Sequence, residues 1–182
     1  YNPANGQVSY SVTLTGAESH AAEQGANSLF ENLNVSLTDS DGDSVSSTLS
    51  INIVDDVADA RNDADSVGTG TATDGNVITG LGTIGGSGGA GADTRGADGA
   101  VVSDIASNNP GGGAPAVVTA GGVSINGQYG VLTIAADGQY TYTRTSDSDG
   151  TDTFTYTLKD GDNDSDTATL TITLADKGRL VV

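Results

Sequence analysis

Apolar residues recur at every second position in stretch after stretch of this chain, and that period commits it to half-buried β-strands. Residues 8–14 put Val8, Tyr10, Val12 and Leu14 on one face, with Ser and Thr opposite. Residues 33–37 repeat the pattern with Leu33, Val35 and Leu37, and 47–54 with Leu49, Ile51 and Ile53. Further along come Tyr140 and Tyr142 in 139–144, then Phe154, Tyr156 and Leu158 in 152–158. Ala168, Leu170, Ile172 and Leu174 follow in 168–174, with Thr between them. No helical period competes, apart from a single turn near Ala21–Gly25. The expectation is an all-β fold.

Two of these stretches are copies of each other. Residues 36–56 (SLTDSDGDSVSSTLSINIVDD) align without gaps on 157–177 (TLKDGDNDSDTATLTITLADK), at an offset of 121 with nine identities. The identities include the Asp pairs 39/160, 41/162 and 43/164. The second copy follows about a hundred residues of its own unit, the first only 35. Residues 1–57 therefore read as the closing strands of a partial sandwich, and 58–176 as a complete one. The boundary falls in the acidic linker Asp55–Asp65, DDVADARNDAD. Within the second unit, 84–116 is rich in Gly and Ala and reads as long loops around one short strand, Ala100–Ile105. Residues 177–182 are either a tail or the start of a next module.

Charge narrows the function. The chain has 24 acidic and 6 basic residues, a formal net charge of -18, and 21 of the acids are Asp. Asp favours turns and oxygen-ligand metal loops, whereas Glu favours helix interiors. Nucleic acid is excluded as a partner, because phosphate backbones need Lys and Arg. There is no Cys to staple a secreted domain, so bound calcium is the natural substitute. No apolar run reaches membrane-spanning length, which excludes membrane insertion by a helix. No signal peptide begins the chain, so an export signal is expected elsewhere in a longer protein.

Three places offer ligands for a hard cation. In the two hairpin loops Asp39, Asp41 and Asp43, and Asp160, Asp162 and Asp164, stand at alternate positions, so that their carboxylates can converge. The spacing matches the first three ligands of an EF-hand. Position 6 is Ser44 or Ser165 rather than Gly, and position 12 is Ser50 or Thr171 rather than Glu, so neither loop is one. The competing explanation is that Asp-rich hairpins simply turn well. The linker acids Asp55, Asp56 and Asp63, with Asp59 and Asp65, form the second place: a stretch that self-repels unless a cation neutralises it. The third is GGAGADT at 88–94, one copy of a glycine-rich calcium nonapeptide that needs stacked copies to work. It reads better as a loop, with Asp93 and Asp98 near enough to hold an ion.

Catalysis is poorly supplied. His20 is the only histidine and lies in the polar loop ESHAAEQGA, with no nucleophile motif nearby. Paired carboxylates discriminate nothing in so acidic a chain. Tyr10, Tyr129, Tyr140, Tyr142 and Tyr156 read as core residues with hydroxyls at the rim. The chain is not expected to be an enzyme.

The stretch GQYGVLTIAADGQYTYTRTSDSDGTDTFTYTLKDGDNDSDTATLTITLAD resembles repeat units of giant type I-secreted (RTX) bacterial adhesins, which are VCBS-like or cadherin-like β-sandwiches. NVITGLGTIGGSGGAGADTRGADGAVV is similar to the start of the same repeat. The N-terminal SVTLTGAESHAAEQGANSLFENLNVSLTDSDGDSVSSTLSINIVDD is similar to the closing half of another. The resemblance implies an immunoglobulin- or cadherin-like sandwich beside a partial, or split, second unit. It implies a Ca²⁺-stabilised extender at the bacterial cell surface that supports attachment and biofilm formation, with neighbouring modules as partners. The alternatives are a module that binds a glycan or peptide through 84–116, a split domain of the adhesin's binding region, and an accessory domain of an extracellular hydrolase. A glycan site wants exposed aromatics, and 84–116 has none.

Overall fold

A computed structural model describes residues 7–21, 25–84 and 91–178. Eleven strands account for its regular structure, with no helix among the described residues. The strands β1 (Ser28–Thr38) and β2 (Ser44–Val54) form an isolated two-stranded antiparallel ribbon. The other nine are β3 (Asp63–Gly68), β4 (Ala72–Asn76), β5 (Ala100–Ser107), β6 (Ala116–Val117), β7 (Val123–Asn126), β8 (Gly130–Ile134), β9 (Gln139–Arg144), β10 (Gly150–Asp160) and β11 (Ser165–Leu174). They build one sheet in the order β3-β11-β10-β5-β6 and a second in the order β4-β9-β8-β7. Only the β3–β11 pairing is parallel.

The core is the inward half of each alternating run. Tyr140, Tyr142, Phe154, Tyr156, Leu158, Leu170 and Ile172 are fully buried with Leu132 and Ile134, while the intervening Thr residues face outward. Burying each such side chain contributes about 1.5–3 kcal/mol. Tyr142 and Phe154 meet edge to face across the two sheets, with ring centroids 6.3 Å apart.

Each buried tyrosine carries its hydroxyl to an aspartate, because a buried O–H without a partner is costly. Tyr140 donates to Asp65 Oδ2 at 2.8 Å and Tyr142 to Asp152 Oδ2 at 2.6 Å. Tyr156 reaches Asp63 Oδ2 at 3.2 Å, both oxygens of Asp93 at 3.1 Å, and the Arg61 carbonyl at 2.8 Å. Asp152 also accepts the backbone N–H groups of Gln128 at 2.8 Å and Tyr129 at 3.0 Å. That close approach depends on Gly127, where a Cβ would stand 2.1 Å from Asp152 Oδ2. Gly127→Ala is therefore expected to cost about 1–3 kcal/mol by overpacking. Gly121→Ala, whose nearest neighbour would lie 3.9 Å away, should stay within about 0.5 kcal/mol. Urea unfolding of the two variants checks the contrast; equal stabilities would mean that the Asp152 loop yields without cost.

The two copied hairpins pair in the same register. Thr38↔Ser44 and Leu33↔Leu49 in the ribbon answer Lys159↔Ser165 and Phe154↔Leu170 in the sandwich, each at the offset of 121. The Asp39 N–H donates to the Asp43 carbonyl as the Asp160 N–H donates to that of Asp164. The left-handed turn residue is Gly42 (φ 101°) in the first and Asn163 (φ 85°) in the second.

Two expectations need correction, and others lie partly outside the described residues. Residues 8–14 form no strand here: Val8, Tyr10, Val12 and Leu14 are exposed, and among the described residues no sheet receives them. Asp63 and Asp65 are not linker acids; they stand in β3 with their side chains inward, Asp63 paired to Tyr156 of its own sheet and Asp65 to Tyr140 of the facing sheet. The helical turn near Ala21–Gly25 falls partly outside the described residues, as do the first three residues of GGAGADT at 88–94 and the end of the 177–182 segment.

Candidate metal centre

The end of β2 and the β10–β11 turn lie side by side. Residues 57–60 run along that turn, with the Ala58 N–H donating to Asp160 Oδ2 at 3.2 Å and the Ala60 N–H to Asp166 Oδ2 at 2.9 Å. From the N-terminal segment, the Gly25 N–H reaches both oxygens of Asp164, at 3.1 and 3.2 Å. This packing gathers acids that are far apart in sequence. Asp98, Asp160 and Asp162 place carboxylate oxygens within 4.8 Å of one another, and Asp162 stands in the same relation to Asp55 and His20. Gly161 lets Asp98 approach, since a Cβ there would meet Asp98 Oδ2 at 2.5 Å.

Two oxygens in this group are buried and have no hydrogen-bond partner among the described residues: Asp55 Oδ2 and Asp160 Oδ1. Burial pushes the Asp55 carboxyl above its ordinary range, and the Asp162 charge adds to this while His20 opposes it. Burial likewise raises Asp160 to about 6; the Ala58 N–H opposes the rise and Asp162 adds to it. Both carboxylates are thus held where solvation is poor and like charge is near. The donor set is carboxylate oxygen with one imidazole, and hard oxygen-seeking cations fit the all-oxygen part of it.

His20 packs from its loop rather than standing on the surface: its side chain is only 5% exposed. Its Nδ1 lies 3.0 Å from the Glu18 carbonyl and 3.4 Å from Asp55 Oδ1, and its Nε2 lies 3.3 Å from the Ile53 carbonyl. No local signal in ESHAAEQGA marks this position, because its partners come from β2 and the second unit.

The remaining candidates separate. Asp39, Asp41 and Asp43 converge within 4.8 Å but are exposed. There Asp39 Oδ1 accepts the N–H groups of Asp41, Gly42 and Asp43, which is the chemistry of a turn. A side-chain hydrogen bond with Asp41 leads the effects that lower the Asp39 pKa. Asp56 is engaged by the Ala97 N–H at 2.6 Å. Asp164 is buried and holds the Gly25 N–H, so it fixes the junction rather than facing the open group. Asp63 and Asp93 meet at Tyr156, and no third acidic group joins them at ligand distance among the described residues. Burial and then the Asp93 charge push Asp63 up to about 7, and burial raises Asp93 to about 6.

Among the described residues no helix is long and apolar enough to cross a membrane. No curated protein matches the chain. The family model described as a cadherin-like domain matches residues 113–175, from just before β6 to the end of β11. Two packed antiparallel-rich sheets with this match make the sandwich an all-β, cadherin- and immunoglobulin-like fold, whose 113–175 segment is similar to a cadherin-like repeat of the extracellular, adhesive kind.

Proposed function

We propose that this chain is a non-catalytic, calcium-stapled module of a large bacterial surface adhesin of the RTX type, secreted and serving attachment and biofilm formation. The observation that carries the reading is the pair of buried, partnerless oxygens, Asp55 Oδ2 and Asp160 Oδ1, on opposite sides of one junction. Asp55, Asp98, Asp160 and Asp162 would hold the ion, and Asp39, Asp41 and Asp43 would hold a weaker one at the outer hairpin. Bound calcium supplies positive charge that links the end of β2 to the β10–β11 turn. The residues do the rest: Ala58 and Ala60 anchor the linker, Asp164 clamps Gly25, and Gly161 admits Asp98. A stiff junction transmits force between neighbouring modules, which are the expected partners. Calcium ligation by Asp56, Asp63, Asp93 and Asp164 is not part of this proposal, since each is engaged elsewhere. Recognition of a glycan or peptide is assigned to adjacent domains.

The test is a thermal melt in chelator against one in millimolar calcium at matched ionic strength. A ligand that binds only the native state at a hundredfold excess over Kd contributes about 2.7 kcal/mol. For a chain of this size that is a rise in midpoint of about 5–10 °C. Asp162→Asn should remove most of the rise, because Asp162 belongs to both ligand groups. Asp137→Asn, in the turn before β9, should leave it intact. Equal midpoints with and without calcium would reject the staple and leave the Asp clusters as turn formers.

A further inference from the structure

The β1–β2 ribbon and the β10–β11 hairpin share one register, but only one of them is covered. At the offset of 121, Leu33, Val35 and Leu37 take the places of Phe154, Tyr156 and Leu158. The latter three are fully buried beneath the β4-β9-β8-β7 sheet, whereas Leu33, Val35 and Leu37 are 49%, 44% and 52% exposed. The ribbon thus presents, bare, a face that serves in the other copy as a sheet–sheet interface.

An acid stands on that face. Glu31 takes the position of Asp152, which is wholly buried and satisfied by Gln128 N–H, Tyr129 N–H and the Tyr142 hydroxyl. A carboxylate on a covered apolar face is tolerable only if its cover brings donors. The chain itself supplies one. Residues 5–13, NGQVSYSVT, align with 137–145, DGQYTYTRT, without a gap. Val8 and Tyr10 then stand for Tyr140 and Tyr142, on the inward face of β9.

We propose that residues 8–14 are a strand of a covering sheet that docks on the apolar face of β1–β2, with the Tyr10 hydroxyl donating to the Glu31 carboxylate. The rest of that sheet comes from polypeptide on the N-terminal side of these residues. Chain order supports this source: β4, β7, β8 and β9 all precede β10. A second copy of the chain does not meet the need. Its four-stranded sheet is already used against its own β10–β11, and a ribbon laid on a ribbon brings Glu31 no tyrosine hydroxyl. The proposal does not rest on calcium: Leu14 lines the cleft beside His20, Asp55 and Asp98, but the contacts proposed here are made by none of the junction acids.

The experiment compares this chain with the natural polypeptide extended on its N-terminal side, by NMR and amide hydrogen exchange. In the extended protein the Tyr10 ring should show contacts to the Leu33 methyl groups, as the Tyr142 ring meets Phe154. Exchange across 32–37 should slow by about tenfold or more relative to the shorter chain, as local opening becomes costlier. Tyr10→Phe and Glu31→Gln should each reverse part of that protection, and the double variant should be no worse than the more damaging single one. Tyr142→Phe should leave the exchange at 32–37 unchanged. Protection without a Tyr10–Leu33 contact, equally fast exchange in both proteins, additive losses in the double variant, or a doubled molecular mass with the ribbon protected would each overturn the proposal.

Discussion

Asp152→Ala should destabilise the sandwich by about 3–5 kcal/mol, the range for removing one partner from a buried, charged network. The size follows from what Asp152 holds together. It sits on β10, wholly buried, and takes two backbone N–H groups from the turn between β7 and β8 and one hydroxyl from β9. Deleting it strands three donors at once, and each unsatisfied buried donor costs about 1–3 kcal/mol. The Tyr142 hydroxyl cannot escape by ionising in that variant, because its burial, the largest cause of its raised pKa, remains when Asp152 is gone. Tyr142→Phe removes a single hydrogen bond to a charged group and should cost about 1.5–3 kcal/mol. The double variant should lose less than the sum, since the tyrosine has no partner left to lose. Urea denaturation of the four proteins in the cycle measures this. Strict additivity, or a loss below 1 kcal/mol for Asp152→Ala, would mean that the network relaxes into water.

Asp152 also shows how far the sequence could be read. The strands with strong contrast between faces, β1, β2, β9, β10 and β11, are legible because Thr or Ser alternates with large apolar residues. Strands β3 and β4 are not, because DADSVG and ATDGN place acids and a glycine where a core residue is expected. Asp63 and Asp65 are inward because Tyr156 of the same sheet and Tyr140 of the opposite sheet demand acceptors, pairings that no local window contains. The strands β7 and β8 are too short, at 4 and 5 residues, for their period to stand out. In the opposite sense, 8–14 has the pattern of a strand but no sheet to join among the described residues.

The candidate site divides the same way. The alternate spacing of Asp160, Asp162 and Asp164 marks a place where carboxylates converge, and the first two of these three hairpin acids do converge with others. That Asp98 and Asp55 arrive there, and His20 with them, depends on how β2 meets the β10–β11 turn. Linker composition alone placed Asp63 with Asp55, yet eight residues of chain separate a junction acid from a strand acid facing the core. Spacing reveals ligands that share a loop; it does not reveal those brought together by packing.

In chelator, the protein should be more stable at pH 5 than at pH 8, and Asp63→Asn should flatten much of that difference. Asp63 and Asp93 approach each other at the Tyr156 hydroxyl, with Asp59 and Asp166 adding negative charge to Asp93. The Arg61 backbone N–H and the Tyr156 hydroxyl ease Asp93, while Asp63 Oδ1 has no hydrogen-bond partner among the described residues. Their folded pKa values, about 7 for Asp63 and about 6 for Asp93, stand above the unfolded value of 3.8. Below pH 4 both the folded and unfolded states hold these protons, so the pair contributes no difference there. Between about 4 and 7 the folded state keeps protons that the unfolded chain has released, so stability falls as pH rises. Above about 7 the full cost of two buried charges is present. Asp55 and Asp160 shift in the same direction, so the wild-type slope alone does not isolate the pair. Asparagine at 63 can still accept from Tyr156 but does not titrate, so Asp63→Asn should raise the midpoint at pH 8 and leave it little changed at pH 5. Melts from pH 5 to 8 on the two proteins decide the matter. A midpoint that climbs with pH, or an Asp63→Asn variant with the wild-type slope, would show that Asp63 is ionised at no cost to the fold.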